Sequence, residues 1–253
     1  MRNEQLNRYV RNITLKEIDE EGQEKLLNSK VLVIGAGGLG SPLLLYLAAS
    51  GIGTIGIIDD DKVDLSNLQR QIIYKNDDVD QPKTHAAKKR LLELNPDINI
   101  ITHQLRLDET NIDNIIKDYD IIADGSDNFE TRFLVNERCF RHKKPLVSAA
   151  VVGFSGQVYT FKPYLDGHPC YRCIYPELPA PNASPPCREF GVLGSVVGQV
   201  GSFQATEIIK ELLNIGESLS GKMIMIDALY ADIKKVKINR DPNCLCCANE
   251  RKK

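Results

Sequence analysis

The chain has 253 residues, enough for one large α/β domain or two small domains. Its formal net charge of -2 argues against bulk binding to nucleic acid or to a membrane surface. No segment approaches the roughly 18 consecutive apolar residues of a membrane span, and the polar N-terminus MRNEQLNRYVRN lacks the core of a secretory signal. We therefore expect a cytoplasmic protein whose seven cysteines act as metal ligands or reactive thiols.

The first part of the chain alternates strand patterns with helix patterns. Strands are predicted at 29–36, 52–59, 98–107 and 120–127, and helices at 38–50, 81–95, 108–120 and 128–143. Asp108 is the predicted N-cap of the third helix. This alternation predicts a Rossmann-like, doubly wound and mostly parallel sheet.

After Pro145 the pattern changes. The stretches 145–161 and 222–238 predict longer strands of antiparallel character. Between them, 175–191 holds five of the twelve prolines and predicts an extended, mobile connection, followed by a helix at 192–213. We predict one domain over 1–253, made of an N-terminal arm and helix (1–28), a nucleotide-binding half (29–144) and a mixed half (145–253).

A glycine-rich turn follows the first strand in KVLVIGAGGLGS. Gly35, Gly37 and Gly40 have the G-x-G-x-x-G spacing, which lets phosphate approach the backbone at a helix N-terminus. Asp59 ends the second strand, nineteen residues after Gly40, where an acid can bind ribose hydroxyls. The pattern predicts a bound nucleotide and leaves open which one.

The segment DDDKVDLSNLQRQ runs on from Asp59 and adds Arg70, and QPK adds Lys83. Asp127 sits at the C-terminal end of a later predicted strand, on the sheet edge where open α/β sheets bind ligands. Each residue alone is typical of a solvated surface. Together, two cations and an acid suit a triphosphate with Mg²⁺.

The cysteines form two C-x-x-C pairs, Cys170 with Cys173 and Cys244 with Cys247. Four thiolates are the ligand set of a closed, structural zinc site. The alternatives are a redox pair or buried thiols, and Cys246 stays open as a substitute ligand.

These motifs resemble those of the MoeB/ThiF adenylyltransferases, bacterial relatives of the ubiquitin-activating enzymes. The resemblance spans Arg8 to Cys247 and rests on RYVRN, GAGGLGS, DDDKVDLSNLQRQ, QPK, GSDN, PCYRC, GVLGSVVGQVGSFQATEIIK and CLCC. It implies that ATP adenylates the C-terminal glycine of a small ubiquitin-like sulfur carrier, MoaD- or ThiS-like, in molybdopterin or thiamine biosynthesis. A separate sulfur donor, such as a cysteine desulfurase or rhodanese, then supplies the sulfur.

The resemblance also implies roles for individual residues. The predicted nucleotide-binding set is Gly35, Gly37, Gly38, Gly40, Asp59, Ser66, Asn67, Gln69, Arg70, Lys83, Asp127 and Asn128. Arg11 is predicted to reach the ATP of a partner subunit in a homodimer, and Cys187 to accept the acyl group or join a persulfide exchange.

A C-terminal carboxylate is already ionised at neutral pH, so the predicted reaction needs no general base. Positioning and charge neutralisation at the α-phosphate are sufficient. Two alternatives stay open. A nicotinamide-dependent oxidoreductase leaves NLQRQ, Lys83 and the cysteine pairs without roles, and a non-catalytic zinc-stabilised binding module keeps the fold without turnover.

Overall fold

The computed structural model describes residues 1–178 and 191–248; most of the predicted proline-rich connection, with Cys187, lies outside these residues. The described helices are α1 Asn3–Ile13, α2 Asp19–Asn28, α3 Gly40–Ala49, α4 Lys83–Leu94, α5 Ile112–Ile116, α6 Phe129–Arg141, α7 Tyr171–Ile174 and α8 Gly194–Leu213. The strands are β1 Lys30–Ile34, β2 Thr54–Ile58, β3 Asn99–His103, β4 Ile121–Asp124, β5 Leu146–Val152, β6 Ser155–Phe161, β7 Lys222–Asp227 and β8 Asp232–Lys237.

One sheet of eight strands runs through the described chain, in the order β3-β2-β1-β4-β5-β6-β7-β8. Strands β1 to β5 are parallel, and β6, β7 and β8 pair antiparallel. This confirms the predicted α/β fold with a mixed second half. The strand order reverses between β1 and β4, so a ligand crevice is expected at their carboxyl ends. The division into halves at residue 145 stays a prediction.

The apolar runs of the central parallel strands β1, β2 and β4 are buried on both faces, as parallel sheets require. Helices α3, α4 and α8 cover one face, with Leu43, Leu47 and Val200 fully buried against the strands. Helices α5 and α6 cover the other face, where Ile116 and the predicted core thiol Cys139 are fully buried. The loops that follow the carboxyl ends of these strands therefore start from a rigid, well-packed sheet.

Both predicted long strands are hairpins. The stretch 145–161 turns at Gly153, which has φ +57°, so that β5 runs parallel to β4 and only β6 is antiparallel. The stretch 222–238 turns over residues 228–231, where Ala231 has φ +54°. The antiparallel pairing of β5 with β6 and of β7 with β8 confirms the predicted antiparallel character. The prediction of single long strands was wrong, because the apolar pattern continues through both turns and only a positive φ marks where the chain reverses.

The predicted cap at Asp108 was also wrong. Helix α5 begins at Ile112 with Asn111 as its N-cap residue. The Asp108 carboxylate instead accepts hydrogen bonds from the backbone N–H groups of Thr110 and Asn111, at 2.8 and 3.2 Å. Asp108 closes a separate turn because short acidic side chains bond their own backbone as readily in turns as at helix ends.

The predicted arm and helix of 1–28 form two helices, and α1 packs on its own chain. Tyr9 is 1% exposed, and its hydroxyl accepts a hydrogen bond from Asn95 at 2.9 Å. Its ring lies against Gly51, just beyond α3. Helix α1 is therefore fixed at the ends of α3 and α4 that lie away from the glycine turn. Within 1–178 and 191–248, no helix combines the length and the apolar content needed to cross a bilayer.

Candidate active site

The glycine turn connects β1 to α3 at the carboxyl edge of the sheet. Gly35 has φ +89°, and a Cβ there would lie 3.1 Å from the Gly125 carbonyl oxygen after β4. A Cβ on Gly40 would lie 2.1 Å from the Gly35 carbonyl oxygen. Neither position has room for a side chain, so the backbone packs closely at the switch point. At the start of α3 the Ser41 N–H donates to the Gly37 carbonyl at 2.9 Å, and Pro42 has no N–H.

Two predicted residues, Asp59 and Lys83, meet beside this turn. Asp59 Oδ2 accepts a 2.8 Å hydrogen bond from the Ala36 N–H. Lys83 begins α4, is 5% exposed, and its Nζ lies 2.7 Å from Asp61 Oδ2 and 4.0 Å from Asp59 Oδ1. Burial raises the pKa of Asp59, and Lys83 opposes that shift. Asp61, which the sequence reasoning missed, is the acid that pairs most closely with this cation.

Arg70 reaches the turn from the segment after β2. Its Cδ lies 3.6 Å from the position of a Cβ on Gly38, and its Nη1 donates to the Ser66 carbonyl at 3.1 Å. Ser66 and Asn67 belong to the short 3₁₀ helix Leu65–Asn67. The Gln69 carbonyl lies 2.4 Å from where a Cβ on Gly194 would stand, so the start of α8 packs against this segment.

In this structure the Ser66 and Asn67 side chains are occupied in holding the 3₁₀ helix. The Ser66 hydroxyl donates to Asp64 Oδ1 at 2.6 Å. Asn67 Oδ1 accepts from the Asp64 N–H at 3.2 Å. A nucleotide contact by either side chain requires sharing or exchanging these bonds.

Asp127 and Asn128 lie in the turn after β4. Asp127 is exposed. Asn128 caps α6, since its Oδ1 accepts a 2.9 Å hydrogen bond from the Thr131 N–H. The sheet register pairs Ile34 with Asp124. The glycine turn and the turn that carries Asp127 therefore leave the sheet side by side.

A buried network holds that second turn, and the sequence reasoning missed it. The Asp124 carboxylate, 1% exposed, accepts hydrogen bonds from the Ser126 hydroxyl at 2.6 Å and the Ser148 hydroxyl at 2.9 Å. Arg132 of α6 lies 3.7 Å from the same carboxylate and donates to the Ala149 carbonyl at 2.8 Å. An acid ending a strand and an arginine one helix turn into α6 were the available signals, but only the fold pairs them.

The two C-x-x-C pairs come together in one cluster. The Sγ atoms of Cys170 and Cys244 are 3.5 Å apart, those of Cys173 and Cys247 3.6 Å, and those of Cys170 and Cys173 3.9 Å. Four sulfurs at the usual Zn–S length of about 2.3 Å form a tetrahedron with edges of about 3.8 Å. The cluster has the size of a four-thiolate zinc site. Cys246 lies outside the group of four.

Arg11 is exposed on α1. Helix α3 begins at the glycine turn and is 10 residues long, so its far end lies about 15 Å away. Because α1 packs at that far end, Arg11 lies at the opposite edge of the sheet from the turn of its own chain.

The glycine turn, Asp59, Lys83 and Arg70 thus lie together at the switch point, and comparison with known proteins identifies the family. Residues 9–246 match the ThiF family. The chain belongs to the ThiF family.

Relatives of this ThiF-family chain carry adenylyltransferase or activating-enzyme names. It is 45% identical, over 98% of its own length and 92% of the relative's, to a sulfur carrier protein adenylyltransferase of Thermus thermophilus. It is 44% identical, over 96% and 89%, to the SAMP-activating enzyme E1 of Haloferax volcanii. Among solved structures it is similar to E. coli MccB with ATP, with TM-score 0.81 and 27% identity over 96% of this chain and 75% of MccB.

These similarities confirm the family that the motifs predicted and the adenylyltransferase class of enzyme. Use of ATP follows from that class. The roles predicted for individual residues of the crevice stay predictions, as do magnesium and zinc.

The buried network yields a stability prediction. Arg132→Met should lower the free energy of unfolding by about 3–5 kcal/mol, because it leaves the Asp124 carboxylate buried without its cation. Arg90→Met is the matched control: Arg90 makes a half-exposed ion pair with Glu93, and its loss should change stability by less than about 0.5 kcal/mol. Urea denaturation measures both. Equal stability of the two variants would show that the network contributes little.

Proposed function

We propose that this protein adenylates the C-terminal glycine carboxylate of a small ubiquitin-like sulfur carrier. The observation that carries the proposal is the placement of Lys83, Asp59 and Arg70 around a glycine turn at the switch point. The sulfur-carrier and SAMP names of the relatives support a protein substrate of this kind. Whether the carrier serves molybdopterin or thiamine synthesis stays open.

The reaction is an attack by a carboxylate oxygen on the α-phosphorus of ATP. A new P–O bond forms, the bond to the bridging oxygen breaks, and pyrophosphate leaves with its electron pair. The carboxylate brings no proton, so the residues need only hold the two reactants in line and offset the charge of the phosphates. Arg70 and Lys83 are proposed for the second task.

Magnesium, when bound, would offset the negative charge of the phosphates. The donor set at the crevice fits this ion, because carboxylate oxygens are its preferred protein ligands. Asp59 and Asp61 are already paired with the Ala36 N–H and with Lys83. We therefore propose the exposed Asp127 as the magnesium ligand.

An apolar surface beside the crevice supports carrier docking on the second half. Strands β5 and β7 both end at the carboxyl edge of the sheet, and the Ala228 N–H donates to the Phe154 carbonyl at 2.9 Å. Phe154, Leu229 and Tyr230 are 43%, 59% and 78% exposed there. A carrier that covers this surface could extend its C-terminus to the glycine turn. Its sulfur donor and the role of Cys187 stay predictions.

We further propose that the protein is a homodimer in which Arg11 completes the site of the partner subunit. The distance of Arg11 from the glycine turn of its own chain supports action in trans. The neighbouring Val10 and Leu15 are 50% and 51% exposed, which offers a partner apolar surface around Arg11. Arginines supplied by a partner are a known device for stabilising phosphoryl-transfer transition states.

Zinc is proposed for the group Cys170, Cys173, Cys244 and Cys247, on the sulfur separations given above. Such a site has no open position for water, so its contribution is to folding. It joins α7 and the residue before it to the turn after β8.

Pyrophosphate exchange tests the proposed reaction. With ATP, magnesium and carrier, the protein should exchange labelled pyrophosphate into ATP. Arg70→Ala and Lys83→Ala should each lower the rate at least about 100-fold, because each removes charge that offsets the phosphates. Asp127→Ala should lose activity and magnesium dependence together. If Arg70→Ala exchanges pyrophosphate as fast as wild type, Arg70 has no role in the reaction. If the protein binds NADH and not ATP, the oxidoreductase alternative is favoured.

Mixing two inactive variants tests the homodimer. Arg11→Ala and Arg70→Ala should each be nearly inactive alone. In a mixed dimer, one composite site carries both changes and the other carries neither. Random exchange gives mixed dimers in half of the population, so about a quarter of wild-type activity should return. No recovery despite demonstrated subunit exchange would mean that Arg11 does not act in trans.

Metal analysis tests the zinc proposal. We expect about one zinc per chain, and its loss with a lower melting temperature in Cys173→Ser and Cys244→Ser. Cys139→Ser is the control: Cys139 is buried in the core away from the cluster, so zinc content should stay at one even if stability falls. Metal-free wild-type protein of unchanged melting temperature would contradict the proposal.

A further inference from the structure

A buried glutamine, Gln71, lies beneath the glycine turn and belongs to none of the predicted sets. Its side chain is 3% exposed, and its Nε2 lies 3.7 Å from the position of a Cβ on Gly37. Within the described residues, its Oε1 has no hydrogen-bond partner. The amide is therefore held against the turn with hydrogen-bonding capacity that the protein does not use.

The backbone fixes Gln71 in this place. Its N–H donates to the Asn67 carbonyl at 2.9 Å, and its carbonyl accepts from the Tyr74 N–H at 3.1 Å. The Tyr74 hydroxyl in turn donates to the Ala36 carbonyl at 2.7 Å, which ties this segment to the glycine turn itself. The position of the amide is thus set by the same contacts that shape the crevice.

An unpaired buried amide is costly, and native proteins rarely keep one without a use. Nε2, the amide atom that faces Gly37, carries two N–H donors that can point to the turn. The start of α3 adds the positive end of its dipole. Donors converging on a helix N-terminus favour an anion.

We propose that the Gln71 amide binds a phosphate group of the nucleotide at the glycine turn. This inference rests on the proposed use of ATP in the crevice. The ribose side of the turn is already occupied by the Asp59 carboxylate on the Ala36 N–H, whereas Gln71 faces Gly37, nearer to α3. Gln71 therefore contributes to the affinity for the phosphates and not for the nucleoside.

Binding of adenosine, AMP and ATP to the full chain without carrier tests this assignment by calorimetry. In Gln71→Met, which keeps the length of the side chain and removes the amide, the Kd of ATP should rise about tenfold, the usual effect of one hydrogen bond to a charged group. The Kd of adenosine should not change. Gln71→Glu should raise the Kd of ATP further, because its carboxylate repels phosphate.

The melting temperature of the nucleotide-free protein separates this role from a structural one. Gln71→Met should not lower it, since no hydrogen bond of Oε1 is lost. Asn136→Leu is the control for a satisfied amide: Asn136 Oδ1 accepts from the Tyr171 N–H at 2.8 Å, beside the cysteine cluster. That variant should have a lower melting temperature than wild type and the same Kd for ATP.

Two results distinguish failure of this inference from failure of the proposed function. Wild-type protein that binds no ATP would overturn the proposed function. Wild-type protein that binds ATP, with an equal Kd in Gln71→Met, would overturn only the role of Gln71. A parallel loss of adenosine affinity in Gln71→Met would overturn the assignment to phosphate.

Discussion

The close approach of backbone to backbone at the glycine turn is the constraint on which the rest of the site depends. A Cβ at Gly40 would lie 2.1 Å from the Gly35 carbonyl oxygen, well inside any possible contact. Only glycine lets β1 turn into α3 over this distance. Because the turn is so tight, Asp59 can bond the Ala36 N–H and Arg70 can lie along Gly38. The crevice exists because the glycines of the turn have no side chains.

Charge at this edge is balanced before any ligand binds. Lys83 lies between Asp59 and Asp61, and burial still raises the pKa of Asp59. A polyphosphate brings a larger negative charge than either acid, so it can compete for Lys83 when it enters. The two carboxylates also hold the Lys83 side chain in place in the nucleotide-free protein. Lys83 is therefore already at the site when a nucleotide enters.

The second half of the chain is stabilised differently. Its antiparallel strands lead away from the doubly covered core, and β8 forms the outer edge with Lys234, Lys235 and Lys237 along it. Charged lysines on an edge strand oppose pairing with another chain. The cysteine cluster joins α7 and the residue before it to the turn after β8. A metal there would hold together segments that share little apolar core, while the apolar tips of the hairpins stay exposed.

By itself the sequence determined the features that local chemistry carries: the glycine spacing, Asp59 at a strand end, the paired cysteines and the alternation of strand and helix. These are readable because each depends on neighbours along the chain. The tertiary structure decided what depends on neighbours in space. It paired Lys83 with Asp61, enclosed Asp124 with Arg132, divided each long apolar run into a hairpin, and left the Gln71 amide unpaired beneath the turn. An apolar pattern records that a residue is buried, but only the packed fold records which group it is buried against.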